Sequence, residues 1–116
     1  MKPETRFMGA IFRGSWDDDG YYESIDGRSL REALMALLDE IAAWRINAPA
    51  FSRRVKPLIL ARFGFDETPK TYEQLGEMFD RTKERMRQHV EVALRMLRHP
   101  SRSQRLKPYI KENWTV

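Results

Sequence analysis

The chain has no cysteine, which excludes disulfide staples and thiolate metal sites and leaves the redox compartment open. It has only two histidines, His89 and His99. No carboxylate pattern or glycine-rich phosphate loop surrounds them, and no nucleophile stands at motif spacing, so nothing in the sequence supports an enzyme. No apolar run reaches the roughly 18 residues that a membrane span needs. The N-terminal stretch MKPETRFMGAIFRGSWDDD is broken by Arg6 and Arg13, which argues against a signal peptide and makes the cytoplasm the default location. The acidic group Asp17, Asp18, Asp19 and Glu23 has the wrong spacing for a calcium loop, which wants acids at alternate positions before a glycine and a closing glutamate. It reads as a hairpin or loop tip, and no metal or cofactor is expected.

At 116 residues the chain has the length of one domain with an appended arm. A charged fraction of 33% suits a helical protein with much exposed surface. The charge is unevenly placed. Residues 1–50 hold six Lys/Arg against nine Asp/Glu, and residues 51–116 hold fifteen against eight. An acidic front and a basic back imply that the back half meets a polyanion; a solvated helical surface would have the same composition.

Along the chain, Phe7–Phe12 and Tyr21–Ile25 read as two short strands around the Asp17-Asp18-Asp19-Gly20 turn, or as an irregular arm. Ser29-Leu30-Arg31-Glu32 is a capping box. Leu30, Leu34, Leu37, Leu38, Ile41 and Trp44 follow helical spacing, so an amphipathic helix is expected over 29–46, stopped by Asn47-Ala48-Pro49. Its apolar stripe must be buried against the basic half or against a second copy of the chain. A second helix is expected from Ser52 to Phe63, with a start or kink near Pro57 and Gly64 as a left-handed cap; Leu58, Ile59, Ala61 and Phe63 supply its core contacts. Thr71 and Gln74 box the third helix, with Leu75, Met78 and Phe79 inward and Gly76 allowing close approach. Asp80-Arg81 is a turn, and Thr82 caps a fourth helix whose inner face is Met86, Val90, Ala93, Leu94 and Leu97. Pro100 ends it, and Ser101-Arg102-Ser103-Gln104 caps a last short helix carrying Leu106, Tyr109 and Ile110.

A short helix, a tight turn and a longer basic helix over Thr71–Arg105 form the grammar of a helix-turn-helix DNA reader. The first turns of such a second helix meet base edges in the major groove. Lys83 can donate to guanine, Glu84 can accept from cytosine and Gln88 can pair with adenine. Arg81, Arg85 and Arg87 can reach phosphates beside the groove, and Thr71, Tyr72 and Thr82 can donate to phosphates from the two helix N-termini. An ordinary helical hairpin with a charged face is the alternative.

The stretches ARFGFDE, KTYEQLGEMFDRTKERMRQ and ALRMLRHPSRSQRLKPYI closely resemble region 4, the C-terminal promoter-reading domain of bacterial sigma-70 family factors, from about Val55 to Lys111. The resemblance implies an all-α, winged-helix-like core of three or four helices, to which the front half adds the extra helix over 29–46 and, as one of its two readings, a short N-terminal hairpin. It divides the chain into an N-terminal extension, 1–50, and a region 4-like DNA-binding domain, 51–116. It further implies recognition of the minus-35 promoter element in double-stranded DNA, with Lys83, Glu84 and Gln88 at bases and Arg62, Tyr72, Thr82 and Arg87 at or near phosphates. The family commonly has arginine where Lys83 stands, and lysine where Val92 and Met96 stand. Docking on the β flap of RNA polymerase is implied as well, and with it a nucleoid-associated location. Residues 1–50 have no room for the region that melts the minus-10 element, so a free-standing region 4 is expected. Three roles follow: a split sigma component or accessory regulator, a DNA-binding repressor or activator that dimerises through residues 29–46, and a phage or mobile-element decoy that binds polymerase or an anti-sigma partner. Val92 and Met96, with His89, form a second, less polar stripe, which the Leu30–Trp44 helix or a partner is expected to cover.

Overall fold

A computed structural model describes residues 1–43 and 49–112, without the side chains of residues 49, 50 and 52. Its elements in chain order are helix α1 (Pro3–Phe12), strands β1 (Ser24–Ile25) and β2 (Arg28–Ser29), helices α2 (Leu30–Ala42), α3 (Pro49–Phe63), α4 (Tyr72–Phe79), α5 (Lys83–Arg98) and α6 (Pro100–Ser103), and a 3-10 turn (Lys107–Tyr109). The architecture is all-α apart from the two-residue strands.

The N-terminal segment departs from the expected pair of strands. Phe7–Phe12 is part of α1. Pro3 sits in its first turn, where the missing N–H is harmless and φ is preset, and Glu4 suits the helix dipole. Phe7, Met8 and Ile11 fall on one helical face and are buried. Tyr21–Ile25 is not one strand either. Tyr21 makes a single bridge to Ile110, and Ser24–Ile25 pairs antiparallel with Arg28–Ser29. Asp26 and Gly27 close that hairpin with φ of 51° and 79°, the two left-handed positions of a type I′ turn.

Ser29 Oγ accepts from the Glu32 amide at 3.0 Å, the serine half of the expected box, and starts α2. Leu30, Leu34, Leu37, Leu38 and Ile41 are all buried within this chain, in the same core as α3 and α5. The helix closes at Ala42, with Ala43 as its cap; Trp44 and the Asn47-Ala48 stop signal lie outside the described residues. The next helix starts at Pro49 rather than Ser52 and runs through Pro57. A proline inside a helix costs about 3 kcal/mol. Val55, Leu58 and Ile59 around it are buried, and at about 1.5–3 kcal/mol each they outweigh that cost. Gly64 then ends the helix at φ 73°. The Phe65 amide reaches back to Leu60 O at 2.9 Å, and a Cβ at Gly64 would lie 2.7 Å from Pro69 Cδ, so only glycine fits.

One continuous core joins the front and back of the chain. The Phe7 ring stacks on Phe63 at 4.9 Å and meets Phe65 edge-on at 5.8 Å. Arginines satisfy the carbonyls that end three helices. Arg6 Nε donates to Phe63 O of α3 at 2.9 Å. Arg98 donates from Nε to Ile11 O at 3.0 Å and from Nη2 to Ala10 O at 2.8 Å, at the end of α1. Arg102 Nη1 donates to Met96 O of α5 at 3.2 Å. Arg102 is itself 4% exposed and shares Glu40 of α2 with Arg105.

The expected cap at Ser101 is also replaced. His99 Nδ1 accepts from the Ser101 amide at 3.2 Å and starts the single turn α6. Pro100 occupies the first helical position there. Beyond it, Leu106 and Tyr109 are buried. Tyr109 Oη donates to Arg28 O at 3.1 Å, and the Lys111 amide donates to Gly20 O at 2.9 Å, so the C-terminal segment straps the N-terminal loop.

Candidate nucleic-acid interface

The two helices of the interface are each started by a threonine. Thr71 and Gln74 form a reciprocal box: the Gln74 amide donates to Thr71 Oγ1 at 3.1 Å, and the Thr71 amide donates to Gln74 Oε1 at 2.8 Å. Thr82 Oγ1 accepts from the Arg85 amide at 3.1 Å. Between them Asp80 adopts φ 54° with its N–H on Gly76 O, and the Arg81 amide also donates to Gly76 O at 2.9 Å. A Cβ on Gly76 would lie 2.6 Å from Arg81 O. That glycine lets the turn fold back over α4.

On α4, Leu75 and Gly76 are buried and Tyr72 and Phe79 half-buried. Met78, expected inward, is 56% exposed. The buried line is centred on positions 72, 75, 76 and 79, and at about 100° per residue Met78 falls about 110° round from it. It borders instead a surface groove of about 230 Å³ lined by Pro57, Leu60, Ala61, Asp66, Glu67 and Lys70, among others. On α5 the buried residues are Met86, Val90, Ala93, Leu94 and Leu97, the face that the spacing predicts. Val92 and Met96 are half-buried at the margin of the core.

Thr71, Thr82, Lys83, Glu84, Arg85, Arg87 and Gln88 are all exposed. They are not independent. Arg87 grips Glu84 with two nitrogens, Nε at 3.1 Å and Nη2 at 2.5 Å. That grip holds the Glu84 carboxyl below the usual range and the Arg87 guanidinium above it. Arg85 Nη1 approaches Gln88 Oε1 at 3.5 Å. Exposed pairs of this kind are weak and exchange readily for another partner. Arg62 and Tyr72 are brought together, the guanidinium 4.0 Å from the ring centroid, and Arg62 Nη1 donates to Lys70 O at 2.9 Å.

His89 is half-buried, edge-on to Phe51 at 5.7 Å. Burial pushes its pKa down, and Arg85, Arg54 and Arg81 push it the same way. The imidazole thus reports a flank where cations of α3, the turn and α5 converge. Arg81 and Arg85 are expected beside the groove from the sequence, whereas Arg54, expected only as one of the basic residues of the second helix, joins them from α3.

Residues 52–99, which include the whole of α4 and α5, match the family model of Sigma-70, region 4. RNA polymerase sigma factor SigA of Clostridium acetobutylicum is 38% identical over 84 residues, 72% of this chain and 20% of that protein. The SigA of a Nostoc species is 37% identical over 90 residues, 77% of this chain and 20% of that protein. That of a Bacillus species is 39% identical over 83 residues, 71% and 19%. The chain therefore spans about a fifth of the length of these curated relatives. No solved structure matches it. Region 4 of the sigma-70 family is a non-enzymatic DNA-binding transcription-factor domain.

Proposed function

We propose, from the premise that residues 52–99 carry a sigma-70 region 4, that this protein reads minus-35-like promoter DNA with α5 and docks on RNA polymerase. The observation that carries the reading is the exposed start of α5: Lys83, Glu84 and Gln88 stand free of the core at the N-terminus of a helix whose opposite face is fully buried. In that reading the three side chains meet base edges. Thr71, Tyr72, Thr82, Arg85 and Arg87 meet phosphates at the positive ends of two helices. Arg62 acts by holding Tyr72. The Glu84–Arg87 pair opens on binding, the carboxylate turning to a base and the guanidinium to a phosphate.

Exposed Met78 and the groove beside it are the apolar surface available to the β flap. A decoy for polymerase alone has no use for the polar face of α5. The α2 stripe is buried inside one chain, which favours a monomer over a dimer joined through residues 29–46. The continuous core favours a single folding unit in which residues 1–50 brace the DNA-binding part.

The test is a selection of bound duplexes from random DNA, with and without core polymerase. A minus-35-like consensus that Gln88→Ala weakens supports the reading. Equal affinity for the consensus and random DNA, unchanged by that substitution, rejects it.

A further inference from the structure

Glu84, Gln88, Glu91 and Arg95 recur at helical spacing and so lie on one line down the outer face of α5. A shallow concavity of about 450 Å³, lined by Arg87, Gln88, Glu91, Val92 and Arg95, follows that line. At about 1.5 Å per residue, Arg95 lies roughly 16 Å along the axis from Glu84. A recognition helix meets base edges with its N-terminal residues, so its later turns run past those bases. A helix whose Glu84 and Gln88 face base edges therefore carries Arg95 out to the flanking backbone.

The N-terminal helix ends at the same place. Arg98 is pinned there by its bonds to Ile11 O and Ala10 O. Arg13, two residues on, is exposed and closes α1 in a left-handed conformation, its N–H on Gly9 O. Burial lowers the Arg98 pKa, and Arg13 and Arg95 lower it further, against an opposing effect of Glu91. Among the described residues no carboxylate lies within ion-pair distance of Arg13 or Arg95. Arg98 is bonded to two carbonyls of the last turn of α1, two and three residues before Arg13, and stands three residues after Arg95 on α5, so positive charge gathers at this junction. An anion beside Arg13 and Arg95 would offset it.

We infer that Arg13 of α1 and Arg95 of α5 together hold a backbone phosphate of the duplex strand flanking the bases read by Glu84 and Gln88. The inference rests on the DNA reading above. It makes the N-terminal extension part of the DNA interface.

The experiment uses the full chain and a duplex bearing the selected sequence, and measures how log K falls with log salt. Arg13→Gln and Arg95→Gln are each expected to make the slope shallower, and the two together by about 0.9, the value for one lost phosphate contact, and to weaken preferred and random duplexes alike. Arg13→Lys keeps most of the slope, which separates charge from folding. Lys107→Gln removes an exposed charge from the 3-10 turn near the hairpin and leaves the slope unchanged. Neutralising the flanking phosphate as a methylphosphonate weakens the wild type and not the variant that carries both Arg13→Gln and Arg95→Gln. A wild-type slope in Arg13→Gln, or an equal loss in Lys107→Gln, overturns the inference while the sequence preference still stands. A wild type with no duplex preference overturns both readings.

Discussion

The Arg62 guanidinium lies 4.0 Å from the centroid of the Tyr72 ring and donates to Lys70 O at 2.9 Å. One side chain at the end of α3 thereby fixes the residue before the Thr71 cap and the first residue of α4. The planar cation is what this geometry requires, because it stacks and donates at once. Arg62→Lys keeps the charge and loses the stack, so it is expected to destabilise the fold by about 0.5–2 kcal/mol with little change in the salt slope of DNA binding. Chemical denaturation alongside a salt titration checks this; a lysine variant of unchanged stability would show that α4 is oriented by its core contacts alone.

Gly76 is the other fixed point of the turn. Its missing Cβ leaves room for Arg81 O, which an alanine methyl would meet at 2.6 Å. A backbone oxygen held by the turn cannot step aside as a side chain would. Gly76→Ala is therefore expected to destabilise by about 1–3 kcal/mol, the usual range for overpacking, despite alanine's better helix propensity. Denaturant midpoints decide it: a stabilised variant would mean that the turn relaxes freely.

His89 supplies a pH dependence whose sign is fixed. Burial first, and then Arg85, Arg54 and Arg81, lower its folded pKa below the ordinary 6.5. The unfolded chain thus binds the proton more readily than the folded one. The contribution of this group is complete above pH 6.5 and is lost as the pH falls below that value toward the folded pKa. His89→Leu should flatten the stability profile between pH 7 and about 5. Thermal unfolding of both proteins across that range is the measurement, and parallel profiles would remove His89 as the cause.

The parts legible in the sequence were those written in short-range chemistry. The inner face of α5 follows from one period, and Thr71 and Thr82 each find their partner three residues on. The hairpin was legible too, since Asp26-Gly27 is a type I′ signal, but the Asp17–Asp19 run drew the turn away from it. What stayed hidden joins distant residues. Arg98 meets carbonyls 87 and 88 positions away, and no local pattern marks a guanidinium as a helix cap rather than a solvated charge. Helix α1 was obscured because Arg6 and Arg13 break its apolar run, although Arg6 works at Phe63 O. Nor does any local pattern mark His99 as a cap, although it closes α5 and its ring starts α6. Met78 was misplaced because a two-turn helix has too few positions to fix the centre of its buried face.

Phe7 tests whether the front of the chain folds with the back. It is wholly buried and stacked on Phe63. Phe7→Ala removes that ring from a core shared with α3 and is expected to cost about 3–5 kcal/mol, a large fraction of a small domain's stability. If 1–50 and 51–116 form one unit, probes placed in α2 and α5 will report a single shifted transition. Two separate transitions would restore the division into an extension and an independent domain.

Lys83 sets the last expectation, on specificity. It is exposed at the first position of α5, where the sigma-70 region 4 domains that the chain resembles commonly carry arginine. A lysine ammonium is a point donor, whereas a guanidinium can span guanine O6 and N7 with two parallel bonds. If α5 reads bases as proposed, Lys83→Arg should sharpen preference for guanine at one position by about 1–3 kcal/mol and leave affinity for random DNA almost unchanged, since the charge is the same. Gln88→Ala should move a different position of the site by a similar amount in the opposite sense. Competition titrations against single-base variants of the selected duplex resolve the two. Effects at one shared position, or spread evenly across the site, would place Lys83 on a phosphate and leave Glu84 and Gln88 as the reading pair.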